Sequence, residues 1–154
     1  MTEFTWITLG LFLHVLVAIA GIGPMFVIPL MDRLATSPAP FQSLRTAIKI
    51  QRTYVFALLA QLLTGAWLML DSKYDEILGK QMWLHTSFLF WLIAGSLASG
   101  FNLPRSKKAL AAAEAGDASR SAALLAPVEK FTGPAVAILT VLIVLLMVWK
   151  PVAS

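Results

Sequence analysis

Four stretches of the chain are almost wholly apolar, and short polar segments separate them. A helix that crosses the hydrocarbon core of a bilayer needs about 20 mostly apolar residues. The runs at about 4–31, 54–70, 82–103 and 132–149 have that character. In lipid a chain must satisfy its own backbone N–H and C=O groups, and a helix does so within one segment. The pattern therefore predicts an all-α integral membrane protein, a single four-transmembrane-helix bundle over residues 1–154. The first run is too long for a signal-peptide core and reads as a retained helix. The third helix is expected to continue past its apolar run, through the Ala-rich, charged stretch Arg105–Glu114, and to stop at Gly116. Asp117 and Ser119 are placed to cap the helix that follows. Pro24 and Pro29 late in the first helix, and Pro127 and Pro134 near the start of the fourth, predict kinks.

Composition sharpens this reading. Of 154 residues, 58% are hydrophobic and 13% charged, too little charge to cover a soluble domain of this size. With no cysteine, the chain cannot form disulfides, thiolate metal sites, iron–sulfur clusters or covalently attached haem. The net charge of +4 does not signal nucleic acid, because the basic residues sit beside apolar runs, nine of the twelve in the first and third connections. Arg33, Arg45, Lys49 and Arg52 precede the second run; Arg105, Lys107, Lys108, Arg120 and Lys130 lie between the third and fourth. Loops rich in Lys and Arg stay on the cytoplasmic side. The expected orientation is N-out/C-out in the inner (cytoplasmic) membrane. Trp6, Trp67, Trp83 and Trp149 then fall at the outer helix ends as an aromatic belt, with Trp91 deeper.

Few polar side chains lie inside the spans. His14, Gln61 and His85 stand out, and ionisable groups within a membrane span point to function. The two histidines are the only ones in the chain, on the first and third helices, which run in the same direction. Two neutral imidazoles on facing helices can hold a b-type haem between them. Gly10, Ala18 and Gly21 share the His14 face and would leave a flat slot for a macrocycle; the same spacing also makes a helix-packing seam. Gln61 reads either as a hydrogen bond between helices or as a contact to a cofactor edge. Met82, one turn before His85, opens a second metal chemistry, because thioether and imidazole together suit Cu(I). No phosphate-cradling loop and no pair of intramembrane carboxylates appears, which leaves out nucleotide and carboxylate-driven hydrolytic chemistry.

The residues that carry a family likeness are Phe12–Gly21, Leu63-Thr64-Gly65-Ala66-Trp67, Trp83-Leu84-His85 and Val148-Trp149-Lys150-Pro151. In these the chain resembles a superfamily of small four-helix membrane proteins. One branch has no known function; another is the HemJ-type protoporphyrinogen oxidase; the membrane domain of copper-resistance protein D is a looser relative. The resemblance implies haem b, with His14 and His85 at the positions of the oxidase's histidines. Two departures count against the oxidase activity. Pro29 is followed by Leu30 where that family has arginine, and Ser87 stands where it has lysine. The expected function is a b-type haem protein with a redox, sensing or haem-handling role. Expected partners are the lipid bilayer, a membrane redox partner or a second copy. The propionates of such a haem would reach toward Lys73 and Lys80. The alternatives are a non-catalytic assembly or interaction subunit and a copper-handling protein. Topology is directly testable: reporter fusions after Ser43 and Ala115 should read as cytoplasmic, and those after Asp75 and Ser154 as external. An external Ala115 would overturn the orientation.

Overall fold

The computed structural model describes residues 6–27, 40–69 and 82–149, and all regular structure among them is helical. Helix α1 spans Trp6–Val17 and runs on through a π-turn at Ala18–Ile22 and a 3-10 turn at Gly23–Val27. Helix α2 is Pro40–Met69. Helix α3, Met82–Ser96, passes through a π-segment at Leu97–Asn102 into α4, Leu103–Glu114. Helix α5, Ala118–Pro127, passes through a π-turn at Val128–Thr132 into α6, Gly133–Trp149. Four helical rods result. Leu30, Met31 and Pro29 at the expected end of the first helix lie outside the described residues, as do Leu70 and the segment 71–81 with Lys73 and Lys80, and Lys150.

The rods Met82–Glu114 and Ala118–Trp149 are long and apolar enough to cross a membrane; the apolar stretch Trp6–Ile22 is shorter. At ~1.5 Å per residue a 33-residue rod is about 50 Å long, well beyond the ~30 Å hydrocarbon core. The surplus falls at the polar end, where α4 and α5 form a hairpin. Helix α2 contributes to the same end. It begins at Pro40, not near Tyr54, because residues 42–53 need only one apolar stripe to pack as a helix there. Ile48 and Ala109 are buried where α2 and α4 meet, and Arg45 donates to Glu114 at 2.6 Å.

The α4–α5 hairpin closes as the sequence predicts. Gly116 takes φ +81°, which only glycine adopts without strain. Its N–H donates to the Ala113 carbonyl, and the Asp117 N–H to that of Ala112, the paired bonds of a left-handed helix stop. Asp117 then caps α5. Its carboxylate accepts from the Arg120 N–H and from the Ser119 hydroxyl, both at 2.9 Å, and the Arg120 bond is the larger cause holding its pKa below the ordinary carboxylate range.

The prolines do not break the rods. Each π-segment ends two residues before a proline: Ile22 before Pro24, Asn102 before Pro104, Thr132 before Pro134. A proline lacks an N–H and its ring collides with the carbonyl four residues earlier. A wide turn just upstream moves that carbonyl aside, so the helix goes on with one shifted bond. At the fourth rod the Gly133 N–H reaches five residues back, to the Val128 carbonyl. A Cβ on Gly133 would lie 2.6 Å from that oxygen, so the turn requires glycine there.

The core sits where the second, third and fourth rods meet, around Tyr54, Leu58, Ala94, Ala98 and Val136. Thr140 donates to the Val136 carbonyl at 2.7 Å, so the fully buried Tyr54 hydroxyl is the donor in its 2.9 Å bond to Thr140. Trp91 is tied down at depth, with Nε1 donating to the Leu58 carbonyl at 3.1 Å. The first rod packs on the second in antiparallel fashion. Gly10 meets Leu68 and Trp67 at one end, and Gly21 meets Ala57 at the other. A Cβ on Gly21 would collide with the Ala57 Cβ. Gly21→Ala should therefore lower stability by ~1–3 kcal/mol through overpacking, and the double change with Ala57→Gly should recover most of it. Unfolding in detergent measures both, and an unrecovered double variant would place the strain elsewhere.

Candidate functional site

A polar cluster forms where α1 crosses α2. Along α2, Thr64 and Gly65 lie three and four residues after Gln61, the spacing that puts each on the Gln61 side of the helix. All three face His14. The Gln61 Nε2 donates to the His14 backbone carbonyl at 2.7 Å. That carbonyl belongs to the last turn of α1 before the π-turn. The His14 Nδ1 lies 2.8 Å from the Thr64 Oγ1. Thr64 itself lies 2.9 Å from the Ala60 carbonyl and 3.2 Å from that of Gln61. The imidazole edge passes over Gly65, where a Cβ would sit 3.5 Å from Cε1 and 4.0 Å from Nδ1, ordinary contact distances. His14 is half-buried, and among the described residues its Nε2 makes no hydrogen bond.

The candidate residues thus separate. His14 and Gln61 come together, with Thr64 and Gly65 added. His85 lies on the exposed side of α3, outside the contacts that hold His14. Its helix packs chiefly against α6, whereas α1 packs chiefly against α2. Met82, one turn before it, is also exposed. Gly10 and Gly21 lie on the α2 side of the first rod. Both are buried, Gly10 beside Leu68 and Trp67 and Gly21 beside Ala57. Ala18, between them, is half-buried in the π-turn. Ser87 is buried and donates to the Trp83 carbonyl at 2.7 Å.

Two shallow clefts open beside the rods. One, of about 230 Å³, is lined by Phe26, Ala137, Ile138, Val141 and Leu142. The other, of about 180 Å³, lies between α2 and α3 around Trp91, Leu58 and Gly95. Neither includes a histidine. Among the described residues no group of three or more His, Cys, Asp or Glu side chains could hold a metal ion.

Residues 8–151 match the model of one protein family, described as "Predicted integral membrane protein (DUF2269)". The chain belongs to this family. It is therefore an integral membrane protein in contact with the lipid bilayer, and the exposed apolar side chains of α1, α3 and α6 have a physical partner in lipid. No curated protein and no solved structure matches the chain.

The sequence pattern does not single out Thr64. A threonine in an apolar run ordinarily bonds its own helix, and Thr64 also does that. Its signal is position: one turn after Gln61 and next to Gly65, on the side that a first-helix imidazole would meet. The Gln61 amide serves the backbone of α1. Gln61→Leu should cost about 0.6 kcal/mol, typical of a hydrogen bond between helices in lipid, as read by unfolding in detergent. A loss of several kcal/mol would show that the amide holds more than one helix pair together.

Proposed function

We propose that this protein binds haem b within the membrane, with His14 and His85 as the iron's axial ligands, in a redox, sensing or haem-handling role. One observation carries the reading: the His14 ring is held through Nδ1 by the second helix while Nε2 has no partner among the described residues. An imidazole that binds a metal usually has its other nitrogen hydrogen-bonded in this way, which orients the ring and raises its basicity. The chemistry of the donors supports the reading, since neutral imidazole is an iron ligand and no thiolate competes. When bound, haem supplies a one-electron iron centre; the chain's part is to orient the ligands and keep water away. The family likeness to HemJ-type proteins supports the same two histidines, while Leu30 and Ser87 argue against protoporphyrinogen as substrate.

The proposed setting is a four-span bundle, N-out/C-out. Support comes from the ends of the rods. Trp6, Trp67, Trp83 and Trp149 lie toward one end, and Arg45, Lys49, Arg52, Arg105, Lys107 and Lys108 toward the other. His85 lies in the first turn of α3, at the tryptophan end, whereas His14 lies in the last turn of α1, nine residues into the rod Trp6–Val27.

A second reading, a non-catalytic assembly or interaction subunit, is favoured by the Gly10–Gly21 seam and the Gln61 bond, both of which serve packing. Absorption separates the two. Protein purified from membranes should show a sharp Soret band with a low-spin bis-histidine ferric spectrum. His14→Ala and His85→Ala should each give a high-spin five-coordinate species or lose the haem, as no other histidine can replace them. If the unmutated protein stays colourless after addition of haemin, the interaction reading takes its place.

A further inference from the structure

We infer that Thr64 is a positioning residue for His14, holding the neutral imidazole in the Nδ1–H tautomer so that the Nε2 lone pair is presented to a ligand. The use of that lone pair rests on the haem reading above; the tautomer does not.

The argument is a proton count. A threonine hydroxyl has one proton and two lone pairs. Thr64 Oγ1 has three near neighbours: the Ala60 carbonyl at 2.9 Å, the Gln61 carbonyl at 3.2 Å and His14 Nδ1 at 2.8 Å. The two carbonyls can only accept. Were the hydroxyl proton given to Nδ1, two oxygen pairs would face each other at close range with no proton between them. Satisfaction is complete only when Thr64 donates to its own helix and accepts from Nδ1–H. A neutral ring protonated at Nδ1 carries its lone pair on Nε2, the nitrogen without a hydrogen bond among the described residues. Free neutral histidine prefers the opposite tautomer, so the threonine reverses the ring's own preference.

The surroundings keep the ring where this selection works. The ring edge lies beside Gly65, and Gln61 holds the backbone carbonyl of the same residue, so both the ring and its helix turn are tied to α2. No acidic or basic side chain bonds His14 among the described residues, so no salt bridge competes with the hydroxyl for its proton.

The test uses the full chain carrying His85→Gln and ¹⁵N-labelled histidine, in detergent micelles without haem, so that His14 gives the only imidazole signals. The nitrogen shifts of the unmutated Thr64 protein should report a single Nδ1–H form. Thr64→Val keeps the shape of the side chain and should move the population toward Nε2–H, and Thr64→Ser should restore it. An Nε2–H ring beside Thr64, or a Val variant with unchanged shifts, would overturn the proposal. With His85 present, Thr64→Val should weaken haemin affinity roughly 10–100-fold, the usual effect of losing such a partner, and Thr64→Ser should not. A protein with the Nδ1–H ring that takes up no haemin would defeat the haem reading and leave the tautomer assignment standing.

Discussion

Close approach of the first two helices is the contact on which the candidate site depends. Gly21 is buried against Ala57, and nothing larger than hydrogen fits at that position. Helices in lipid gain little from apolar burial, because lipid tails are as apolar as leucine; they gain from fit and from hydrogen bonds between them. At Gly21 the backbones come near enough for short polar side chains to bridge them. One and two turns away, Gln61 and Thr64 reach His14 without extended geometry. A wider seam would break both bonds together and free the imidazole to turn.

The π-turns play a related part. Three of the four rods carry a proline after a widened turn, and each stays a rod. In water a broken helix exposes backbone groups that solvent satisfies; in hydrocarbon an unsatisfied group costs several kcal/mol. Shifting one hydrogen bond by a residue is the smaller penalty. The turn at Ala18–Ile22 starts directly after the helix turn that carries His14. Gln61 thus supports the α1 backbone where its hydrogen-bond pattern changes.

The polar end is built by a different rule. There α2, α4 and α5 extend beyond the length that lipid can cover, and they pack through small buried residues such as Ala109, Ser106 and Ser121. Lys49, Lys107 and Lys108 stay exposed, and the Arg105 guanidinium lies 4.1 Å from the centre of the Phe101 ring. This contact lets a charged side chain lie against the last apolar turn before the polar layer.

By itself the sequence determined that this is an all-helical membrane protein, where the rods turn at Gly116 and Asp117, and which few polar residues lie within apolar runs. These features follow from solvent and from local chemistry: lipid demands long apolar helices, and a left-handed stop demands glycine. The start of α2 at Pro40 was not legible as a span, because that segment needs only one apolar stripe. Tertiary structure decided which polar residues meet. Gly10, Ala18 and Gly21 recur at a spacing that suits a cofactor slot and a packing seam equally, and only the presence of Leu68 and Ala57 opposite Gly10 and Gly21 makes these two a seam. Likewise Thr64 gains its part from an imidazole fifty residues away. Periodicity tells which side of a helix a residue occupies; it does not tell which helix faces that side, because in lipid every apolar face is equally well solvated until a close-fitting partner is found.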